Sequence, residues 1–239
     1  MVLGTVARAV LVARGAVAYG GRLSSDGYTA FLVHELERYV RDRSFTGFVA
    51  YSEHASMSSD EIQAAVKGIG LTGRYVFLDP DGQVIDDRQN TAGVEGELDR
   101  DLVIRSLSGL RRQMTEETDA RVLIGGQRTG YQGRIPGVVE ETILAIQAGK
   151  PMYIAGGFGG AAGDIASLLG LDPEGWLGIP PEPGRADLEE LRRVAMAEGW
   201  EPTSNGLTVE QNHQLAVSYR ASEIASLVVR GLINAFDED

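Results

Sequence analysis

The sequence predicts an α/β fold, in which a mainly parallel sheet is covered by helices on both faces. Short apolar runs alternate with helical patterns up to residue 170, and this alternation is typical of parallel sheets. The strand-like runs are apolar at consecutive positions, as strands are when both faces of the sheet are buried. Such a sheet normally begins with a strand. This chain opens on a helical pattern, so we expect the first strand to be absent from it.

Turn and cap residues assign the elements of the first half. Ser58 or Ser59 can cap the helix that follows, with Glu61 in its first turn. A Pro-Asp-Gly turn between two β-rich runs indicates a hairpin, and the acidic stretch 86–97 indicates a loop. In chain order the predicted elements are helix 3–13, strand 16–21, helix 26–42, strand 45–52, helix 58–70, hairpin 74–85 and helix 98–118.

The second half continues the alternation and then changes in composition. Pro136 near the start of one helical pattern and Gly149 at its end follow the usual preferences of helix termini. Residues 171–208 are rich in proline, glycine and acid, and are predicted as an irregular excursion around a helix at 185–198. The other predicted elements are strand 120–126, helix 136–149, strand 150–157, helix 159–170 and helix 220–236. We predict a single domain over residues 1–239.

Composition argues against several classes of function. No run of about 18 apolar residues occurs, so no membrane partner is expected, and the sequence has no cysteine for disulfides or thiolate metal sites. His34, His54 and His213 lack the spacing of metal ligands, and we expect neither a metal nor another cofactor. The net charge of −12 opposes binding to nucleic acid. Arg8 and Arg14 interrupt the N-terminal apolar run, which lacks the pattern of a secretory signal, so a cytoplasmic location is expected.

Glycine pairs follow three of the predicted strands. The carboxyl ends of parallel strands meet at one edge of a sheet, where ligands bind, so these turns predict a ligand crevice. Glycine lets the backbone approach a ligand closely, and the N-termini of the following helices favour phosphate. A single pair would mark only a tight turn. The pairs are Gly20–Gly21, Gly125–Gly126 and Gly156–Gly157.

Charged residues surround the middle glycine pair. Arg128 and Arg134 lie in the segment between strand and helix, and arginine matches the geometry of phosphate with two parallel hydrogen bonds. The alternative is that both are solvated loop residues. Glu141, predicted in the first turn of the helix that begins near Pro136, could accept from ribose hydroxyls or act as a base. Its alternative role, shared with Glu140, is a favourable position near the positive end of the helix dipole.

The block GLRRQMTEETDARVLIGG, followed by PGVVEE, resembles the Rossmann-like SLOG superfamily. This superfamily includes the Lonely Guy phosphoribohydrolases, the DNA-processing proteins, the nucleotide-sensing regions of melastatin channels and sensor domains of bacterial anti-phage proteins. The phosphoribohydrolase motif is Pro-Gly-Gly-x-Gly-Thr-x-x-Glu. Gly125 and Gly126 match its Gly-Gly pair, Gly137 its third glycine and Glu141 its glutamate. The resemblance covers residues 3–170 and the last helix, and is specific at 120–163.

The chain departs from the phosphoribohydrolase motif in ways that argue against that activity. Ile124 replaces the proline, Val138 replaces the threonine, and residues 127–136 stand where the motif has one residue. Arg111 and Arg112 lie about one position out of register with the Arg-Lys pair of those enzymes. The run from Gly125 to Gly160 is more similar to the sensor branch, which includes domains of the Thoeris anti-phage system that bind a cyclic ADP-ribose isomer.

The resemblance therefore implies a non-catalytic sensor of an ADP-ribose-like, possibly cyclic, nucleotide in anti-phage signalling. Two alternatives stay open. One is an N-glycosidic hydrolase that uses Glu141 with Arg111 or Arg112, and the other is a structural or oligomerisation domain with a vestigial pocket. The residues expected to bind ligand are Gly20, Gly21, Arg22, Gly125, Gly126, Arg128, Tyr131, Arg134, Gly137, Glu141, Gly156, Gly157, Phe158 and Gly159.

The same resemblance implies partners besides the nucleotide. Sensors of this branch act by changing their association, so we expect a homo-oligomer. Trp176, an aromatic residue beside prolines in a polar excursion, is a candidate anchor for such an interface, or it caps the core. An effector or TIR-type domain outside this chain is a further expected partner.

Overall fold

A computed structural model describes residues 2–21, 23, 27–37, 39, 44–85, 98–178 and 184–236. The chain forms two compact units, one made of Ala7–Glu117 and the other of Met1–Val6 with Thr118–Asp239. Both units combine parallel strands with helices, which confirms the predicted α/β class. The assignment of residues 1–239 to one domain stays a prediction.

The unit Ala7–Glu117 is built on a sheet whose strands run in the order β1-β2-β3-β4. In chain order its elements are α1 (Val2–Val12, which starts in the other unit), β1 (Val17–Gly20), α2 (Tyr28–Leu36), β2 (Phe45–Val49), α3 (Tyr51–His54), α4 (Ser59–Ile69), β3 (Gly73–Leu78), β4 (Val84–Ile85) and α5 (Arg100–Glu117). The first three strands are parallel, with Phe45 beside both Val17 and Gly73. β4 pairs antiparallel with β3, which confirms the predicted hairpin.

Helices cover both faces of this sheet. Because side chains alternate between the faces of a strand, Phe48 packs with Leu110 and Met114 of α5. The next residue, Val49, packs with Ile62 of α4 instead. Consecutive apolar residues in β2 are therefore explained by burial on both sides, as the sequence pattern predicted.

The other unit is built on a parallel pair of strands. In chain order its elements are β5 (Arg121–Ile124), α6 (Gly137–Gln147), β6 (Met152–Ala155), a 3₁₀ turn at Gly156–Phe158, α7 (Gly160–Leu168), α8 (Ala186–Ala197), a 3₁₀ turn at Pro202–Asn205, α9 (Val209–Val217) and α10 (Ala221–Phe236). Leu123 of β5 and Ile154 of β6 are buried with Val139 of α6, Ile165 of α7 and Leu191 of α8.

A buried amide network ties the excursion at 171–208 to this sheet. The side-chain Nδ2 of Asn205 donates to the carbonyl oxygen of Met152 at 2.7 Å and to Oδ1 of Asn212 at 2.8 Å. The hydroxyl of Tyr153 donates to the carbonyl oxygen of Asn205 at 2.9 Å. The segment before α9 is therefore fixed to β6, although its composition suggested an irregular loop.

Two predicted strand boundaries need correction, and one helix was not predicted. The predicted strand 45–52 ends at Val49, because the chain turns into α3 and buries His54, whose Nε2 lies 2.9 Å from the carbonyl oxygen of Leu78. The predicted strand 150–157 ends at Ala155, where the 3₁₀ turn begins. The helix α9 was missed, although the Thr208–Gln211 capping box is a recognisable start signal. Helix 26–42 is described only in part, and loop 86–97 lies outside the described residues.

Candidate functional site

The segment Gly125–Pro136, here called the glycine loop, joins β5 to α6. Gly125 and Gly126 both adopt positive φ, at 64° and 90°, and so turn the chain sharply at the end of the strand. Their carbonyl oxygens then face the start of α7. The N–H of Ala162 donates to Gly125 at 2.7 Å, and the N–H of Ala161 donates to Gly126 at 3.1 Å.

This contact explains a glycine in α7 and changes the expected phosphate site. A Cβ on Gly160 would overlap the carbonyl oxygen of Gly126, and Gly160 also has positive φ, so only glycine fits there. Two N–H groups in the first turn of α7 are already used by the loop carbonyls. The start of α7, where the sequence predicted a phosphate, therefore has two fewer donors to offer an anion.

Arg128 anchors the glycine loop to a buried carboxylate that sequence reasoning did not identify. Asp164 of α7 is 1% exposed and accepts from Nε and Nη2 of Arg128 at 3.1 and 2.7 Å. It also accepts from Nη1 of Arg185 at 2.6 Å, and Arg185 pairs in turn with Asp187 of α8. Two arginines and two aspartates thus balance in charge and join the loop to α7 and α8.

Arg134 and Tyr131 remain exposed on the glycine loop. They precede Gly137, the first residue of α6. The N–H groups of Val139 and Glu140 donate to the carbonyl oxygen of Pro136. Among the residues that the structure describes, the N–H groups of Gly137 and Val138 have no such partner. A free pair of donors at a helix N-terminus, with a nearby arginine, is the arrangement that favours an anion.

Glu141 forms an ion pair with Arg121. Its Oε2 lies 3.7 Å from Nη1 of Arg121, the first residue of β5, whose side chain is 8% exposed. Since Arg121 lies at the opposite end of the strand from the glycine loop, this pair directs the carboxylate away from the predicted crevice. Neither Arg121 nor Asp164 was identified from the sequence, because each is recognised only by a partner distant along the chain.

The glycines after β6 have mainly a packing role. A Cβ on Gly157 would overlap the carbonyl oxygen of Ser218 at the end of α9, and one on Gly156 would lie 2.9 Å from the carbonyl oxygen of Ala216. Phe158 is 46% exposed, and Gly159 caps α7 with positive φ. Close backbone packing, which the sequence could not reveal, accounts for this glycine pair.

The remaining predicted site residues belong to the unit Ala7–Glu117. A Cβ on Gly20 would collide with the side chains of Leu110 and Met114, and one on Gly21 with Tyr19. Arg111 is buried in α5, and Arg112 donates to the carbonyl oxygen of Asp81 at 3.3 Å. Arg22 lies outside the described residues.

None of the helices in the described parts of the chain is both long and apolar enough to span a bilayer. Across the same residues, no three acidic, histidine or cysteine side chains are grouped as they would be around a metal ion.

Comparison with known proteins adds one finding. A family model described as SLOG cluster2 matches residues 2–215 of the chain. Neither the curated proteins nor the solved structures give a significant match.

Proposed function

Because the chain belongs to the SLOG superfamily, in the group described as SLOG cluster2, we propose that it is a non-catalytic sensor domain for an ADP-ribose-like nucleotide, including cyclic forms. Membership supports a function related to nucleotides. The choice of a sensor, and its place in anti-phage signalling, is our proposal and depends on the arguments below.

The phosphate-binding part of the proposed site is the glycine loop with the start of α6. Arg134 is exposed there, and the N–H groups of Gly137 and Val138 are available among the described residues. Arginine and helix N-terminal amides are complementary to the charge and shape of a pyrophosphate. Arg128 is already paired with Asp164. About half of the Arg128 side chain is exposed, so it can add a contact at the edge of the phosphate site.

The observation that carries the choice of sensor over hydrolase is the ion pair between Glu141 and Arg121. A general base must reach the water or hydroxyl that it activates. Glu141 lies within ion-pair distance of a buried guanidinium at the far end of β5 instead. The residue that matches the glutamate of the phosphoribohydrolases is thus better placed to join β5 to α6 than to attack a ribose.

Assembly is part of the same proposal. We expect a homo-oligomer whose association changes when the nucleotide binds, and an effector that responds to this change. Sedimentation velocity at tens of micromolar protein, with and without ADP-ribose, measures the oligomeric state and its change on binding. A monomer under both conditions would contradict it.

Titration calorimetry with ADP-ribose and with cyclic ADP-ribose tests the proposed function, followed by chromatography of the recovered nucleotide after several hours. We expect at least one of the two to bind and to be recovered intact. Turnover that Glu141→Gln abolishes would instead establish the hydrolase. Absence of binding to both compounds would remove the nucleotide assignment.

A further inference from the structure

A second feature of the unit that contains β5 and β6 is a cavity beside the turn that follows β6. It has a volume of about 430 Å³, which is large enough for a nucleoside. Its lining includes Gly157, the end of α9 and the start of α10. Apart from Gly157, the residues that line it were not predicted to bind a ligand.

Two aromatic side chains line this cavity while remaining largely exposed. Trp176 is 73% exposed and Tyr219 is 69% exposed. Neither ring stacks on another aromatic ring within the described parts of the chain. Asp172 fixes the position of Trp176 by accepting from its backbone N–H at 2.8 Å and from that of Leu177 at 2.9 Å. The backbone that carries the indole is thus fixed beside the cavity, and the exposed ring is available for stacking.

The carboxylate of Glu223 lines the same cavity and can accept hydrogen bonds. Oε1 of Glu223 accepts from Nε2 of Gln214 at 2.6 Å, and Oε2 accepts from Oγ of Ser218 at 2.5 Å. These bonds lower the pKa of Glu223, so the group is ionised at neutral pH. An ionised carboxylate accepts up to about four hydrogen bonds, which leaves two positions for a ligand.

The charges around Trp176 set the direction in which a nucleotide would lie. The indole also lines a neighbouring cavity of about 300 Å³, where Asp172, Glu174 and Glu210 place carboxylates. These would repel phosphate. Gly157, which lines the first cavity, lies three residues before Gly160, and Gly160 contacts the glycine loop. Because carboxylates line the second cavity, we expect a ribose phosphate to leave the first cavity on the part of its lining that holds Gly157 and the cation Arg220.

We propose that this cavity holds the base of the nucleotide, an amino-bearing purine that stacks on Trp176 and donates its amino hydrogens to Glu223. The inference rests on the proposed function and adds the place where the base binds and the residues that hold it. A purine fits because it combines an aromatic face for the indole with an exocyclic donor for the carboxylate.

Adenosine tests the cavity without any contribution from phosphate. In a Trp200→Phe protein, Trp176 is the only tryptophan, so its fluorescence reports stacking. We expect adenosine to quench it, and purine riboside, which lacks only the amino group, to bind about tenfold more weakly. Trp176→Ala and Glu223→Gln should each weaken ADP-ribose binding by about tenfold or more in calorimetry.

Phe236→Ala is the matched control, because Phe236 is a half-exposed aromatic residue of α10 that lines neither cavity. It should leave the affinities for adenosine and for ADP-ribose unchanged. Thermal melts of every variant check that it folds. If Arg134→Ala weakens ADP-ribose binding while Trp176→Ala and Glu223→Gln do not, the base site is wrong and the sensor stands. If adenosine quenches Trp176 but ADP-ribose does not bind, the sensor is wrong and the base site stands.

Two further outcomes would overturn the base site. One is the absence of any response to adenosine or to ADP-ribose, which would also remove the sensor. The other is a Trp176→Ala protein that dissociates into monomers with unchanged affinity for adenosine. That result would assign Trp176 to an interface between copies of the chain.

Discussion

Arg128 of the glycine loop and Asp164 of α7 form a two-pronged ion pair, with Nε of the guanidinium 3.1 Å from Oδ2 and Nη2 2.7 Å from Oδ1. Asp164 is buried, and a second arginine, Arg185, satisfies the same carboxylate. The pair fixes the loop that carries Arg134, and so positions the candidate phosphate contacts. Its two members should contribute unequally to stability.

Asp164→Ala should lower the free energy of unfolding by about 3 kcal/mol, because it leaves two arginines without their buried partner. Arg128→Ala should cost only about 1 kcal/mol, since Arg185 still pairs with Asp164 and Arg128 is half exposed. Urea denaturation of both variants gives the comparison. A larger loss for Arg128→Ala than for Asp164→Ala would contradict the assigned roles.

Arg134→Ala should weaken ADP-ribose binding by about ten- to a hundredfold, as expected for the loss of a charge-assisted hydrogen bond to phosphate. The melting temperature of the protein without ligand should hardly change, because Arg134 is exposed. Arg128→Ala should lower both the affinity and the melting temperature. Calorimetry and thermal melts distinguish the roles of the two arginines in binding and in stability. An unchanged affinity in Arg134→Ala would remove the glycine loop from the site.

Glycine to alanine substitutions should have opposite effects at two positions. A Cβ at Gly157 would overlap the backbone of Ser218, so Gly157→Ala should cost about 1–3 kcal/mol of stability through overpacking. Gly68 lies in α4 with open space around it. Gly68→Ala should therefore add about 0.5–1 kcal/mol by removing the entropic cost of a helical glycine. Urea denaturation measures both, and a neutral Gly157→Ala would show that this turn can yield.

The hydrogen bond from Ser218 should make stability depend on acid pH. It is the largest cause of the lowered pKa of Glu223. A carboxyl whose pKa is lowered by folding adds stability above its unfolded-state value, and this stability is lost as the pH falls through the folded-state value. The melting temperatures of the wild type and Ser218→Ala should thus differ by a constant amount above about pH 5 and converge below it.

Ser222→Ala is the control for this titration, because Ser222 is exposed on the same helix, α10. Its melting temperature should follow that of the wild type across the whole pH range. A difference between wild type and Ser218→Ala that grows on acidification would contradict the prediction.

Features that depend on neighbouring residues could be predicted from the sequence alone. The alternation of helices and strands and the hairpin after Leu78 were predicted and are present. A serine cap at Ser58 or Ser59 was also predicted, and the structure has the cap at Ser58. The helix α6, which begins after Pro136, was predicted and is present as well. Each depends on backbone geometry and apolar periodicity within a few residues, and these are readable from a short segment.

Contacts between residues that are distant along the chain became clear only from the three-dimensional fold. Asp164 follows Arg128 by 36 residues, and nothing in their spacing indicates that they pair. Glu141 matched a catalytic motif by position, yet its neighbour is Arg121. Gly157 suggested a ligand edge, but its missing side chain makes room for the backbone of Ser218. Packing and charge pairing act through space, so local sequence patterns identify candidate residues, while the fold assigns their partners.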